Sequence, residues 1–169
     1  MHILAISGSA SEKSSNTELL ELISEQFKES YIIEVFSKIR DFPMFHPEKL
    51  EQELPEEIKA FKRKLIATDA VIICTPEYTH NIPAVLKNTL EWITASGELS
   101  EKKVLPITFT PHEPRGKYAM ESLLNSLKTM DAKIVTQLTL YKNEINITDE
   151  KLELSETYML FIEEAFKLL

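Results

Sequence analysis

The sequence predicts a three-layer α/β domain, a five-stranded parallel sheet with helices on both faces. Three observations carry this. Short apolar or β-branched runs alternate with segments whose apolar residues recur at helical spacing, and they do so five times along the chain. The runs at residues 2–6 and 70–74 are continuously apolar rather than alternating, as in strands covered on both faces. The length of 169 residues fits one domain with an adequate core, so residues 1–169 are read as a single unit.

The elements follow in order. Residues 2–6 form the first strand and run into a loop of small hydroxylic residues at 7–16. Leu19, Leu20, Ile23 and Phe27 mark the first helix, with Ser15 or Asn16 as N-cap. Residues 31–36 are β-branched and aromatic, a second strand. The connection 38–53 contains Phe42-Pro43-Met44-Phe45-His46-Pro47; it is too long and too apolar for a plain linker and is expected to fold over another part of the chain. Pro55 opens a helix with Ile58, Phe61, Leu65 and Ile66 on one face. Residues 70–74 are the third strand. Pro83 opens the next helix, which carries Val85, Leu86, Thr89, Leu90 and Ile93 and ends near Ser96-Gly97.

Residues 104–109 form the fourth strand. The loop 110–116 leads to a helix bearing Met120, Leu123, Leu124, Leu127 and Met130. Residues 134–140 are the fifth strand. Asp149 is expected to cap a last helix with Tyr158, Ile162, Phe166 and Leu169 inward. Right-handed crossovers at this length favour strand order 2-1-3-4-5, the flavodoxin-like arrangement. The loops after strands one, three and four then meet at one sheet edge, where open α/β sheets bind ligands.

The bulk composition narrows the function. A net charge of −8 argues against a general attraction to nucleic acid or to an anionic membrane. Cys74 is the one cysteine, so no intrachain disulfide can form, which favours a reducing compartment. The apolar start is too short and lacks a basic flank for a signal peptide, and no apolar run reaches the length of a membrane span. The expected location is cytoplasmic.

Three constellations could carry chemistry. In the first, a strand, a small-residue loop and a helix start make an anion site from free N–H groups and the helix dipole. Ser7, Ser9, Ser11, Ser14, Ser15 and Thr17 add hydroxyls, and Lys13 alone adds a full positive charge. The alternative is a flexible serine-rich turn with its own N-cap. The loop has neither the Walker ending nor G-x-G-x-x-G, which argues against a nucleoside triphosphate or a dinucleotide there. Two of the three glycines, Gly8 and Gly116, fall at the proposed ligand edge, where they could mark special backbone angles or close ligand approach.

The second is the loop 75–83. Its backbone amides could meet the edge of a planar heterocycle, with Tyr78 beside it; it could equally be an ordinary βα connection. His80 is read as solvated, and Glu77 has no carboxylate partner for paired acid–base work. The third, 112–117, is either a lip over a ring or nicotinamide nucleotide, or a solvated charged turn. Cys74 lies within a strand with no arginine at phosphatase-loop spacing, the strand ends lack a receiver-type acidic cluster, and the four histidines lack metal-ligand spacing. Asn146-Ile147-Thr148 matches a glycosylation sequon and is read as chance.

Gly8-Ser9, followed by Ser14-Ser15-Asn16, resembles the phosphate loop of the NADPH-dependent FMN reductase family, roughly G-S-x-R-x-x-S-x-N. The run from Pro76-Glu77-Tyr78 through Pro83, Leu86-Lys87-Asn88 and Glu91-Trp92 is similar to that family's P-E-Y-N-x-x-x-P-x-x-L-K-N-x-x-D-W signature, and Phe42-Pro43-Met44-Phe45 to its L-P-L-Y segment. The likeness is strong in the first half and rests on fold order in the second. It implies noncovalent FMN, with NADPH or NADH as donor and a quinone, azo compound, metal ion or free flavin as acceptor. It implies that Ser9, Ser11, Ser14, Ser15, Asn16 and Thr17 form the phosphate loop. It likewise places Pro76, Glu77, Tyr78, Thr79 and Asn81 at the isoalloxazine, with Thr110 and Arg115 from the later loop. Ser11 stands in place of the family arginine, Thr79 in place of asparagine, and 110–116 lacks the family's Ser/Gly-rich sequence. No residue need act as acid or base, because the cofactor does the chemistry. A single-electron carrier, or a family member without flavin, are the alternative readings. The family also implies a homodimer or homotetramer with flavin near the subunit boundary; the apolar helix 84–93 ending in Trp92, with the segment 42–47, would supply the contact.

Overall fold

The structure, a computed structural model, describes residues 1–148 and 151–169. Its elements are β1 His2–Ser7, α1 Ser15–Gln26, β2 Ile32–Phe36, α2 Glu56–Ala67, β3 Ala70–Thr75, α3 Ala84–Thr94, β4 Lys103–Thr110, α4 Lys117–Thr129, β5 Lys133–Ile134, β6 Leu138–Tyr141, β7 Asn146–Thr148, β8 Lys151–Glu153 and α5 Glu156–Phe166, with three short 3₁₀ turns in the connections. The main sheet runs β2-β1-β3-β4-β5, and β6 also pairs with β4; every pairing in it is parallel. This is the flavodoxin-like order expected from the sequence.

Strand periodicity sorts the core into two layers. Along β1, Leu4 and Ile6 face one side with Val71 and Ile73 of β3, under α2, α3 and α4. Ile3 and Ala5 face the other with Ile72 and Cys74, under α1 and α5. Both central strands are buried from end to end past His2, which is why their sequences are continuously apolar.

The connection 38–53 folds over α3. Pro43 O accepts from Trp92 Nε1 at 2.9 Å and from Asn88 Nδ2 at 3.0 Å, while Asn88 Oδ1 accepts from Phe45 N at 2.8 Å. The Phe45 and Trp92 rings meet edge-on at 5.2 Å. Trp92 is therefore wholly buried within one chain. It cannot supply the expected subunit contact.

Four further expectations are corrected. The fifth strand is interrupted: Val104 pairs with Ile134 but Ile107 with Leu138, so the edge strand carries one extra residue, a bulge. Pro106 of β4 lies opposite the slip and has no N–H to give, which suits a bulge. The last helix starts at Glu156, not after Asp149, which lies outside the described residues; Ser155 is its cap, accepting from Tyr158 N, and the antiparallel β7–β8 pair precedes it. The α1 cap is Ser14, whose Oγ accepts from Asn16 N at 3.2 Å, rather than Ser15 or Asn16. Ile66 is 68% exposed, because the buried face of α2 runs through Ile58, Phe61, Lys62 and Leu65.

Candidate active site

Where β1, β3 and β4 end, their loops enclose a cavity of about 420 Å³. Ser9, Ser11, Lys13, Ser14, Ser15, Asn16 and Glu18 line it from the first loop and α1, Pro76, Glu77 and Tyr78 from the second, and Phe109, Pro111, Arg115 and Lys142 from the far side. Of the residues expected from sequence, Ser9, Ser11, Ser14, Ser15, Asn16, Pro76, Glu77, Tyr78 and Arg115 share this wall. Thr17, Thr79, Asn81 and Thr110 are not in it. Thr17 Oγ1 donates to Ser7 Oγ at 2.8 Å, Asn81 Oδ1 accepts from Ile82 N at 2.8 Å, and Thr110 Oγ1 donates to Arg115 O at 3.1 Å. Their polar groups shape the loops.

Local chemistry builds the first loop into an anion cradle. Ser9 Oγ accepts from Ser11 N at 3.2 Å, and Ser11 Oγ donates to Lys13 O at 2.9 Å, so the loop is folded on its own hydroxyls. The first N–H groups of α1 have no acceptor within the helix. Ser14 takes that of Asn16, which leaves those of Ser15 and Thr17 for a ligand. Asn16 is buried, and Cys74 Sγ donates to its Oδ1 at 3.2 Å. That contact turns the acceptor end of the amide inward and leaves Nδ2 as a donor. Burial pushes the Cys74 thiol far above its ordinary range, so this cysteine is no nucleophile.

The two site glycines serve chain packing rather than ligand approach. A Cβ on Gly8 would stand 2.8 Å from Leu86 Cδ2 and 3.1 Å from Cys74 O, and Gly8 N donates to Cys74 O at 2.7 Å. Gly116, at φ 98°, caps α4, where a Cβ would meet Thr108 Oγ1 at 2.9 Å.

The second loop is anchored by Glu77. Its Oε2 accepts from Gly116 N at 3.1 Å, Tyr118 N at 3.0 Å and Ala119 N at 3.1 Å. With no carboxylate beside it, this side chain instead caps a helix forty residues downstream, and it welds the second loop to the third. Beyond it, Tyr78 and Asn81 exchange both backbone hydrogen bonds at 2.9 Å, with Thr79 at φ 49° and His80 at φ 55°. This is a two-residue type I′ turn, which favours Asn-Gly. His80 is exposed, as expected, and its ring stacks on that of the half-exposed Tyr118 at 4.6 Å. Thr79, β-branched at positive φ, is strained at a cost of about 1–2 kcal/mol. Thr79→Asn should therefore raise stability by about 0.5–1 kcal/mol, read as a higher urea midpoint at constant m-value; an unchanged midpoint would mean the turn bears no strain.

The cavity's donor set matches a phosphate ester attached to a planar ring: hydroxyls and helix N–H groups at one end, Pro76 and the half-exposed Tyr78 at the other. Pro111 comes from the loop 110–116 expected at the site, whereas no local sequence pattern marks Glu18, Phe109 or Lys142.

A sequence model of the NADPH-dependent FMN reductase family matches residues 1–146. Over 106 residues the chain is 42% identical to the NADH:(hydroxy)cinnamate reductase subunit CrdA of Vibrio ruber, covering 62% of this chain and 52% of that protein. Over 108 residues it is 36% identical to the NADH-dependent flavin reductase subunit 2 of Lactobacillus johnsonii, covering 63% and 56%. The matches thus span about half the length of these curated relatives. The fold is similar to that of FerB, a flavoenzyme NAD(P)H:(acceptor) oxidoreductase from Paracoccus denitrificans, with TM-score 0.78 and 18% identity over 99% of this chain and 94% of that one.

Proposed function

The chain belongs to the NADPH-dependent FMN reductase family, and from that premise we propose that residues 1–169 form one FMN-dependent NAD(P)H oxidoreductase unit. The observation that carries the proposal is the convergence of a hydroxyl- and N–H-rich cradle with the Pro76-Glu77-Tyr78 loop on one cavity. Bound there noncovalently, FMN would supply the redox chemistry, taking a hydride from NADPH or NADH and reducing a quinone, azo compound, metal ion or free flavin.

The protein's share is binding and orientation. Ser9, Ser15, Asn16 and the start of α1 hold the phosphate, while Ser11, whose N–H and hydroxyl donate within the loop, folds the cradle around it. Pro76, Glu77 and Tyr78 meet the ring, Thr79 and Asn81 set the turn that presents Tyr78, and Thr110 fixes the backbone from which Arg115 reaches the cavity. Among the described residues no helix is long and apolar enough to cross a membrane; we place the protein in the cytoplasm. A homodimer or homotetramer remains part of this reading, as the family resemblance implies.

Protein reconstituted with FMN should retain stoichiometric flavin through dialysis. Anaerobic NADH or NADPH should bleach its absorbance, and a quinone should restore it. A colourless protein that leaves FMN fluorescence unquenched sinks the proposal. A second reading is delivery of electrons to a partner polypeptide, favoured because two of the relatives above are named as subunits. Flavin that nicotinamide bleaches and small acceptors fail to reoxidise would select it.

A further inference from the structure

We infer that Lys142, on the turn after β6, is the cation by which this site prefers a phosphorylated flavin over an unphosphorylated one. The inference rests on the FMN reading above. A phosphate monoester carries between one and two negative charges near neutral pH, and neutral donors compensate these only in part. This chain makes the demand sharper. Its net charge is −8, Glu18 lines the same cavity, and the first loop carries Ser11, whose hydroxyl is already engaged with Lys13 O at 2.9 Å.

Three cations line the cavity: Lys13, Arg115 and Lys142. Lys13 and Arg115 are exposed, whereas Lys142 is half-buried. Lys142 Nζ lies 5.8 Å from the ring centroid of Phe109, which is itself fully buried. A cation over an aromatic face is attracted to it and restricted in its rotamers, so little freedom remains to be lost on binding. Among the described residues no carboxylate oxygen lies within 4 Å of Lys142 Nζ, so none of these takes its charge into an ion pair.

The backbone beneath Lys142 is tied on both sides. Asn143 N donates to Pro111 O at 3.2 Å, joining this turn to the loop after β4. Tyr141 N donates to Tyr158 Oη at 2.9 Å, and Tyr158 Oη donates to Glu144 Oε2 at 2.8 Å, joining it to α5. Burial and the Glu144 carboxylate push the Tyr158 hydroxyl up to about 12, so this second tie persists at any physiological pH. The geometry therefore presents a fixed, half-desolvated ammonium opposite the serine-rich loop. Lys142 is a specificity residue for the phosphate; it takes no part in electron transfer.

The test is flavin binding by fluorescence quenching, with FMN and riboflavin, on the full chain and its Lys142→Met and Lys142→Arg variants. Lys142→Met keeps the apolar stem over Phe109. It should weaken FMN about tenfold or more, leave riboflavin within about twofold, and flatten the dependence of FMN affinity on salt. Lys142→Arg should restore most of the FMN affinity. FMN binding unchanged by Lys142→Met overturns the inference, as does an equal loss for both flavins, which would make Lys142 a packing residue. A wild-type chain that binds neither flavin removes the FMN reading and this inference with it.

Discussion

Asn16→Asp should leave the fold intact and weaken FMN by about a hundredfold or more, with riboflavin nearly unaffected. The expectation follows from one contact. Cys74 Sγ donates to Asn16 Oδ1 at 3.2 Å, and aspartate keeps an acceptor oxygen there at almost the same volume. The other end of the side chain changes from a donor amide to a carboxylate oxygen, facing the cavity where the phosphate is proposed to sit. Near a protein surface, two unit charges 4 Å apart interact by about 4 kcal/mol. Losing a hydrogen bond to a charged group adds about 1.5–3 kcal/mol. Even with the phosphate partly screened by solvent, well over the ~2.7 kcal/mol that a hundredfold change requires is at stake. Riboflavin has no phosphate and should bind the variant as it binds the wild type. Asn16→Ala is the poorer test, because it also strands the buried thiol of Cys74. Comparable losses for both flavins, with an unchanged urea midpoint, would place Asn16 against the ring rather than the phosphate.

What could be read from the sequence, and what could not, divides by how local the cause is. The central strands were legible because burial on both faces forces a continuous apolar run, as at residues 70–74. The first loop was legible as a loop because small hydroxylic residues between a strand and a helix fold turns and cap helices with their own side chains, as Ser9, Ser11 and Ser14 do. The split of the fifth strand was not, since its cause is Pro106 in the neighbouring strand rather than anything between Ile134 and Leu140. Ile66 continued an apolar spacing, but packing on the sheet chose a face that admits the stem of Lys62 instead. The β7–β8 pair is short, with no strong alternation to announce it. The gap was widest at the cavity. Lys142 meets Phe109 across thirty-three positions of chain, and no spacing rule reaches that far. Glu77 was visible as part of a motif, yet its partners are backbone N–H groups at the start of α4, which a sequence shows nowhere.

Those partners make Glu77→Ala the costliest in stability of the substitutions proposed for the site. The carboxylate accepts from Gly116, Tyr118 and Ala119, three of the N–H groups that α4 cannot satisfy within itself. Hydrogen bonds to a charged acceptor are each worth about 1.5–3 kcal/mol, and a negative charge at a helix N-terminus adds about 0.3–1 kcal/mol. Tyr118 is exposed and water can reach part of the helix end, so the sum is not fully lost. A cost of about 3 kcal/mol remains after that discount. Glu77→Gln keeps one acceptor oxygen and forfeits the charge, so it should cost about half as much. Denaturant midpoints at constant m-value measure both. Binding adds a second readout that a pure stability effect would not move. Glu77 fixes the Tyr78 turn to the loop that carries Arg115, so under conditions where the variant is fully folded its riboflavin affinity should still fall, because the ring-facing loop is no longer held in place. A Glu77→Ala protein as stable as wild type would mean that solvent caps α4 equally well. A less stable protein with unaltered riboflavin affinity would mean that the second loop holds its shape without the tie to α4.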